Sequence, residues 1–359
     1  MPKITKIETI RNPKYAKILW TVVYDESGEF GIGETSWGPD TVETFILKEI
    51  APGMIGKNPM ELSKRWDEIC KLGITVRPSG AEVRSLSAID MALHDLVGKL
   101  TEQPLYQILG GLFREKIKIY NTCAGYSYGV NRPETYRNIP GDVDHMPDQK
   151  YEDQQAFMTD AGELAKSLLE EGVSAMKIWP FDQFAGKTNG EFISSKDIDK
   201  GVEPFQKIRD AVGREMDIMV ELHSMWNLPS AKRIAKALEP IEPLWYEDPI
   251  PMDNLDALAD FRKFTHIPVT ASETMSLRWS FRELFEKKAV DICMFDICWV
   301  GGISEANRIS AMAAANHLPV APHDCVGPIT LINGIHLSLS APNAMIQETV
   351  RAFNNTWYR

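Results

Sequence analysis

Six side chains that can bind metal ions or move protons recur at nearly constant spacing in the second half of the chain. They are Glu221, Glu247, Glu273, Asp296, His323 and Glu348, at intervals of 26, 26, 23, 27 and 25 residues. Each interval is close to the length of one strand–helix unit, and each residue closely follows a short apolar run. The spacing therefore predicts that successive parallel strands present these side chains at one common mouth.

Three of these residues are carboxylates on consecutive predicted strands, and this arrangement indicates a divalent cation. Glu221, Glu247 and Glu273 could not all remain ionised in one small cavity without compensating positive charge. Ligands that are all oxygen atoms select a hard ion, so we predict Mg²⁺, with Mn²⁺ as an alternative. A cation at this position would stabilise the charge that develops when a proton is removed beside a carboxylate.

Two histidines and one lysine are predicted to act in the same cavity. His323 lies one strand beyond Asp296, whose carboxylate would hold the imidazole and raise its basicity, so His323 is the predicted base. His223 lies two residues after Glu221, and side chains two apart on a strand share a face. Lys177 ends the predicted second strand, where it would contact a substrate carboxylate or tune a neighbouring group.

The elements that must position these side chains fall into two parts. Apolar and polar residues alternate over 4–34, which is typical of an antiparallel meander, and helical periodicity follows to about residue 111. This pattern indicates an α+β domain over residues 1–115. Eight strand-like runs alternate with amphipathic helices over 116–350, which predicts an α/β fold, a TIM-type (β/α) barrel; a doubly wound open sheet is the main alternative.

Composition excludes several classes of function. The 359 residues carry a formal net charge of -11, which argues against nucleic acid because phosphate contacts need clustered lysine and arginine. No apolar run approaches the roughly 18 residues of a membrane span, and the start of the chain lacks the apolar core of a signal peptide. The five cysteines form no C-x-x-C pair, which is typical of reduced thiols in a cytoplasmic protein.

The sequence resembles the enolase superfamily, specifically its mandelate racemase-like subgroup of acid-sugar dehydratases and racemases, over nearly the whole chain. The matching segments are GIGE at 31–34, AIDMALHD at 88–95, LGG at 109–111, WYEDP at 245–249, ASE at 271–273, Asp296 with VGG at 300–302, PH at 322–323 and QE at 347–348. The resemblance implies a metal on the three glutamates, a dyad of Asp296 and His323, and an electrophilic Glu348. It also implies a homo-oligomer (dimer to octamer) and a substrate-selecting N-terminal capping domain, with a specificity loop around Trp37.

Two departures from the family pattern refine the expected reaction. Racemases of the group carry Lys-x-Lys at the second strand, and Trp179 occupies the position of the second lysine, which disfavours two-base racemisation. The acidic-x-His pattern at Glu221 and His223 resembles that of family dehydratases, which use the histidine as an acid. Family members usually continue past Arg359, so residues 351–359 are expected to begin a return segment that this sequence leaves incomplete.

The resulting hypothesis is Mg²⁺-dependent dehydration of a small sugar acid, an aldonate or aldarate, to a 2-keto-3-deoxy acid. His323 would abstract the C2 proton, Glu348 and Lys177 would stabilise the enediolate, and His223 would protonate the departing 3-hydroxyl. Epimerisation or racemisation is the first alternative. A catalytically silent barrel that binds acid sugars is the second.

Aromatic side chains and two long polar insertions are predicted to shape the substrate cavity. The insertions lie near residues 128–155 and 182–200, and loops of that length usually cover or line a site. The aromatic candidates are Trp37, Trp179, Tyr126, Tyr128 and Trp226. Spacing does not place these residues, so the identity and stereochemistry of the sugar acid stay open.

Overall fold

The computed structural model describes residues 2–72, 80–126, 128, 151–356 and 358, and within these ranges the chain forms two β-sheets with helices packed around them. The strands of the first sheet are β1 (Ile4–Ile10), β2 (Ile18–Asp25) and β3 (Phe30–Ser36). Those of the second are β4 (Ile119–Thr122), β5 (Ala175–Ile178), β6 (Asp217–Glu221), β7 (Trp245–Glu247), β8 (Val269–Ala271), β9 (Ile292–Cys293) and β10 (Gln347–Thr349).

Helices follow the first sheet and then alternate with the strands of the second. The α-helices are α1 (Pro39–Phe45), α2 (Ala51–Met54), α3 (Leu62–Cys70), α4 (Ala81–Thr101), α5 (Leu105–Ile108), α6 (Asp153–Thr159), α7 (Ala161–Glu170), α8 (Asp182–Ala185), α9 (Ser195–Val212), α10 (Leu228–Leu238), α11 (Leu255–Phe264), α12 (Leu277–Glu286), α13 (Ile297–Val300), α14 (Gly302–Ala315), α15 (Pro328–Ser340) and α16 (Arg351–Asn354). Short 3-10 helices cover Pro13–Tyr15 and Glu239–Ile241, and a π-helical turn covers Ile46–Ile50.

The first sheet is the predicted antiparallel meander, and its strand β3 packs closely on the long helix α4. A Cβ atom at Gly31 would lie 2.0 Å from the carbonyl oxygen of Ala92, and one at Gly33 would lie 1.9 Å from that of Ala88. Glycine at alternate positions of β3 therefore lets the strand and the helix touch along their backbones. The Gly-x-Gly motif serves packing here.

The second sheet is parallel and closes into a barrel. Its strand order is β10-β4-β5-β6-β7-β8-β9, and Val320 makes isolated parallel bridges to Cys293 of β9 and to Ala344 just before β10. The seventh strand position along the chain is thus held only by bridges, because Pro319 and Pro322 on either side of Val320 have no N–H to donate. The predicted TIM-type (β/α) barrel is confirmed, and the open doubly wound sheet is excluded.

Polar contacts join the two parts at the start of α13 and α14. The Thr35 hydroxyl donates to the Cys298 carbonyl at 2.9 Å, and the Trp66 indole N–H donates to the Gly301 carbonyl at 2.8 Å. Asp90 of α4 accepts from the backbone N–H of Ser304 at 2.8 Å. The first part therefore fixes the segment that directly follows the sixth strand of the barrel.

A buried carboxylate links the meander to the last barrel helix. Glu34 of β3 accepts from the Trp20 indole N–H at 2.8 Å and from the Thr330 hydroxyl of α15 at 2.9 Å. Burial raises the pKa of Glu34 to about 7, against the opposing effect of these hydrogen bonds.

Among the described ranges, no helix combines the length and apolar character needed to cross a lipid bilayer.

Candidate active site

Most of the predicted functional side chains lie two residues beyond apolar residues that face the barrel interior. One interior cluster contains Tyr120, Ala175, Met219, Trp245, Met294, Ala321 and Ile346. Side chains alternate along a strand, so the residues two positions later face the same way. Those residues are Thr122, Lys177, Glu221, Glu247, Asp296, His323 and Glu348. The period-two pattern thus brings them to the C-terminal mouth of the barrel.

Backbone hydrogen bonds continue past the strand ends and hold this mouth together. Glu221 pairs in register with Glu247, whose carbonyl accepts from the Leu222 N–H at 3.1 Å. Asp296 and His323 form an isolated parallel bridge although both lie beyond regular strands. The ladder therefore fixes the relative height of neighbouring functional residues.

Asp296 and His323 are brought together as a dyad. The Nδ1 atom of His323 lies 2.7 Å from Asp296 Oδ2, and both side chains are buried. Asp296 also caps α13, where its Oδ1 accepts from the Cys298 N–H at 2.7 Å, so both carboxylate oxygens are fixed. Trp299 stacks on the imidazole with ring centroids 5.6 Å apart. His323 Nε2 lies 2.5 Å from Glu273 Oε2, on the cavity side.

Lys177 lies among the predicted metal-binding and electrophilic glutamates. Its ammonium contacts Glu247 Oε1 and lies 3.0 Å from Glu348 Oε1 and 3.4 Å from Glu221 Oε2. Burial opposes its charge, but Glu247 and Glu348 raise the pKa of Lys177 well above its usual range. The surrounding carboxylates therefore favour the charged form of Lys177 inside the barrel mouth.

Glu348 is held in its ionised form by its neighbours. Burial would raise the pKa of Glu348, but Lys177 and His323 lower it, and the Thr122 hydroxyl also donates to it. An electrophilic role, in which a carboxylic acid donates a hydrogen bond to the substrate, requires the protonated form. Lys177 Nζ lies 3.0 Å from Glu348 Oε1, so the ammonium and the carboxylate fix each other's positions.

The three predicted metal ligands have the chemistry that a hard divalent ion requires. Burial and the charge of Glu221 raise the pKa of Glu247 well above its usual range, which shows that these carboxylates repel each other. Burial also disfavours the charge of Glu273, but His323 lowers its pKa to about 2. Oxygen ligands with this excess of negative charge fit Mg²⁺.

In the structure, however, positively charged side chains of the protein itself contact these carboxylates. In the part of the chain that is described, no group of three or more His, Cys, Asp or Glu side chains has the arrangement of a metal site. Lys177 bridges Glu221 and Glu247, and His323 holds Glu273. Burial lowers the pKa of His323, but Glu273 contributes the largest opposing effect and the pKa is raised well above its usual range. A cation on Glu273 would compete for that carboxylate and lower the imidazole pKa again.

His223 enters the cavity by a route that strand alternation does not describe. Strand β6 ends at Glu221, and His223 and Ser224 have positive φ angles of 47° and 56°, so the expectation that Glu221 and His223 share one strand face is wrong. The imidazole packs edge-on against Trp179, and its Nδ1 lies 2.5 Å from Asp182 Oδ2. Burial opposes its charge, but Asp182 and Glu221 raise the pKa of His223 to about 10. The charged form, which an acid catalyst needs, is favoured.

The mouth contains a cavity of about 300 Å³. In the described ranges it is lined by Trp37, Gly80, Arg84, Thr122, Tyr128, Lys177, Trp179, His223, Glu273, Thr274, Ser276, Trp299, His323 and Cys325. Both parts of the molecule contribute, since Trp37, Gly80 and Arg84 precede the barrel. The arrangement can bind an anion, remove a proton with one histidine and donate a proton with another.

The cavity includes three of the five aromatic residues predicted to shape it. Trp37, Trp179 and Tyr128 line it, whereas Tyr126 is not among the lining residues. Trp226 is fully buried in the core outside the barrel, because the turn after His223 directs the chain away from the mouth. Most of the insertion near 128–155 lies outside the described residues.

Sequence reasoning missed three residues of the site. Asp182, in the first turn of α8, is fully buried and orients His223, and its Oδ1 has no hydrogen-bond partner among the described residues. Trp299 covers His323, and Arg84 comes from the helix α4 of the first part. The available signal for Asp182 was an acidic residue at the start of a long insertion. No spacing rule links Arg84 to the barrel.

Two family models match most of the chain. Residues 5–110 match the N-terminal domain of mandelate racemase / muconate lactonizing enzyme, and residues 160–359 match the enolase C-terminal domain-like family. Among curated relatives, D-xylonate dehydratase from Haloferax volcanii is 28% identical over 330 residues, which cover 91% of this chain and 73% of that protein.

Solved structures of similar proteins show the same fold over the whole length. An enolase of the mandelate racemase subgroup from Agrobacterium tumefaciens is 47% identical, with a TM-score of 0.86, over 99% of this chain and 87% of that chain. An enolase protein from environmental sequencing of the Sargasso Sea is 41% identical, with a TM-score of 0.88, over 100% of this chain and 88% of that chain.

Proposed function

The chain belongs to the mandelate racemase / muconate lactonizing enzyme family, and on that premise we propose that it is a Mg²⁺-dependent acid-sugar dehydratase. The observation that carries the proposal is a cavity with two histidines, each held by its own carboxylate. His323 lies 2.7 Å from Asp296, and His223 lies 2.5 Å from Asp182. The D-xylonate dehydratase relative supports the same class of reaction.

The proposed metal ligands are Glu221, Glu247 and Glu273. When bound, Mg²⁺ (or Mn²⁺) supplies the positive charge that makes a proton beside a carboxylate acidic enough to remove. The oxygen-only side chains and the mutual repulsion of Glu221 and Glu247 support this assignment.

The chain's own residues divide the proton transfers between them. His323 takes the C2 proton at Nε2, while Asp296 holds the Nδ1 side of the ring and fixes its tautomer. Lys177, oriented by Glu348, stabilises the negative charge of the enediolate. His223 protonates the departing 3-hydroxyl, which is a poor leaving group without an acid. The products are water and a 2-keto-3-deoxy acid.

We propose further that residues 1–115 cap the catalytic barrel of residues 116–350. Trp37 lines the cavity from the cap, and the Trp299 indole N–H donates to the Ser36 hydroxyl at 3.2 Å across the boundary. The cap thereby touches the residue that covers His323. Assembly into homo-oligomers and a return segment beginning at residues 351–359 stay predictions.

A library of diastereomeric aldonates and aldarates tests the function directly. We expect a semicarbazide assay to detect keto acid from at least one member with Mg²⁺ present and none after chelation. Incubation in D₂O separates the alternative reaction, because an epimerase returns inverted, deuterated substrate instead of keto acid. Inverted substrate without keto acid would show that the reaction is epimerisation and not dehydration. Trp179 at the second-lysine position disfavours epimerisation.

Replacing Asp182 with asparagine is expected to lower keto-acid formation by roughly 10²- to 10⁴-fold, the usual contribution of a positioned acid. The variant loses the charge that holds His223 protonated, but His323 and Asp296 remain intact. Deuterium exchange at C2 of the recovered substrate, followed by NMR in D₂O, should therefore appear while elimination is slow. The exposed Asp210→Asn variant serves as the control. Equal loss of exchange and elimination would contradict a role confined to the acid.

A further inference from the structure

Helix α4 of the cap brings to the catalytic cavity an arginine that has no anionic partner among the described residues. Arg84 lies in the first turn of α4 and lines the cavity together with Trp37. Within the described ranges its guanidinium forms no ion pair or hydrogen bond, and it is only partly exposed. A half-buried guanidinium that faces a cavity and lacks a counter-ion is a site for an anion.

The charge of the cavity differs between its two ends. At the barrel end, the other lysine or arginine in the lining is Lys177, which is already engaged by Glu247, Glu348 and Glu221. At the cap end, a second cation, Lys17, lies with its Nζ 4.5 Å from the centroid of the Trp37 ring and forms no ion pair among the described residues. Among the described residues that line the cavity, none at the cap end carries a carboxylate, so the cap end is electropositive.

We propose that Arg84 binds a second carboxylate at the far end of the substrate, so that the preferred substrates are aldarates. This inference rests on the proposed dehydratase function. The planar guanidinium presents paired N–H groups that match the two oxygens of a carboxylate. One cavity of about 300 Å³ is lined by Arg84 from the cap and by Lys177, Glu273 and His323 from the barrel, so a ligand in it has groups of both parts within its surroundings. An aldonate carries a neutral hydroxymethyl group at that end and leaves Arg84 unpaired.

The test compares each hexonate with the hexarate that has the same configuration at C2 to C5. For wild type, we expect a higher kcat/KM for the hexarate of the accepted series. Arg84→Gln should lower the hexarate-to-hexonate ratio of kcat/KM by roughly 30-fold or more, mainly through the KM of the hexarate. Arg84→Lys keeps the charge but loses the paired N–H groups. Its hexarate-to-hexonate ratio of kcat/KM should therefore lie between that of wild type and that of Arg84→Gln. Arg282→Gln, an exposed arginine of α12, is the matched control and should leave the ratio unchanged.

Binding is measured separately by titration calorimetry of the same hexarates with Mg²⁺ present. Two results would overturn the role of Arg84 and leave the dehydratase proposal intact. One is a wild-type kcat/KM for the hexonate equal to that for the matching hexarate; the other is an Arg84→Gln variant with an unchanged hexarate-to-hexonate ratio. Absence of keto acid from every pair, with hexarate binding that weakens at least 30-fold in Arg84→Gln, would support the role of Arg84 and refute the dehydratase. If Arg84→Gln does not fold, Arg84→Lys decides, because an unchanged ratio in that variant overturns the proposal.

Discussion

Asparagine in place of His323 is expected to lower the rate of keto-acid formation by about 10⁴-fold or more. The imidazole Nε2 is the proposed base, and Asp296 fixes the ring through Nδ1 at 2.7 Å. Asparagine is of similar size and keeps a polar group beside Asp296, but it has no basic nitrogen at the substrate. Single-turnover and steady-state rates on the best substrate of the library measure the effect.

The exchange experiment separates His323 from Asp182. A variant without the base should lose deuterium exchange at C2 together with elimination, whereas Asp182→Asn should keep exchange. His317→Asn is the matched control, because His317 is exposed at a positive φ of 58°, a conformation that asparagine adopts well. Turnover by His323→Asn at the wild-type rate would reject His323 as the base.

The largest effect on stability is expected from Lys177→Met. In metal-free protein this change should lower the free energy of unfolding by about 3–5 kcal/mol, because it removes the partner of buried carboxylates and leaves their charge uncompensated. Lys177 contacts Glu247 and lies 3.0 Å from Glu348, and all three side chains are buried. Chemical denaturation with and without Mg²⁺ measures the loss. Added Mg²⁺ should restore part of it, since a bound cation supplies the missing charge.

Lys166→Met provides the comparison for this prediction. Lys166 pairs with Glu163 on an exposed face of α7, and such surface pairs typically contribute less than about 1 kcal/mol. A Lys177→Met variant as stable as Lys166→Met would mean that Lys177 does not neutralise the glutamates. A large loss in the free energy of unfolding that added Mg²⁺ does not reduce would mean that Lys177 and the cation do not compensate the same carboxylates.

The barrel and its ring of polar residues were predictable because they depend on two regular repeats. One strand–helix unit recurs every 23–27 residues, and side chains alternate along each strand. Together these repeats place Glu221, Glu247 and His323 two residues above the apolar interior formed by Met219, Trp245 and their neighbours. Local sequence carries both signals.

Other features of the site depend on irregular backbone or on distant contacts. His223 reaches the cavity through two residues with positive φ, and the same turn buries Trp226 outside the barrel. Asp182 joins the site from the short helix α8, and Arg84 joins it from α4 of the cap. Their positions follow from tertiary packing, for which neither periodicity nor spacing provides a rule.

Titration calorimetry of Mg²⁺ into metal-free protein tests the central claim most directly. We expect one saturable site per chain in the wild type and in the exposed Glu286→Gln control, and no measurable binding in Glu247→Gln. Wild-type protein that binds no Mg²⁺, or a Glu247→Gln variant that binds it as tightly as wild type, would contradict the account.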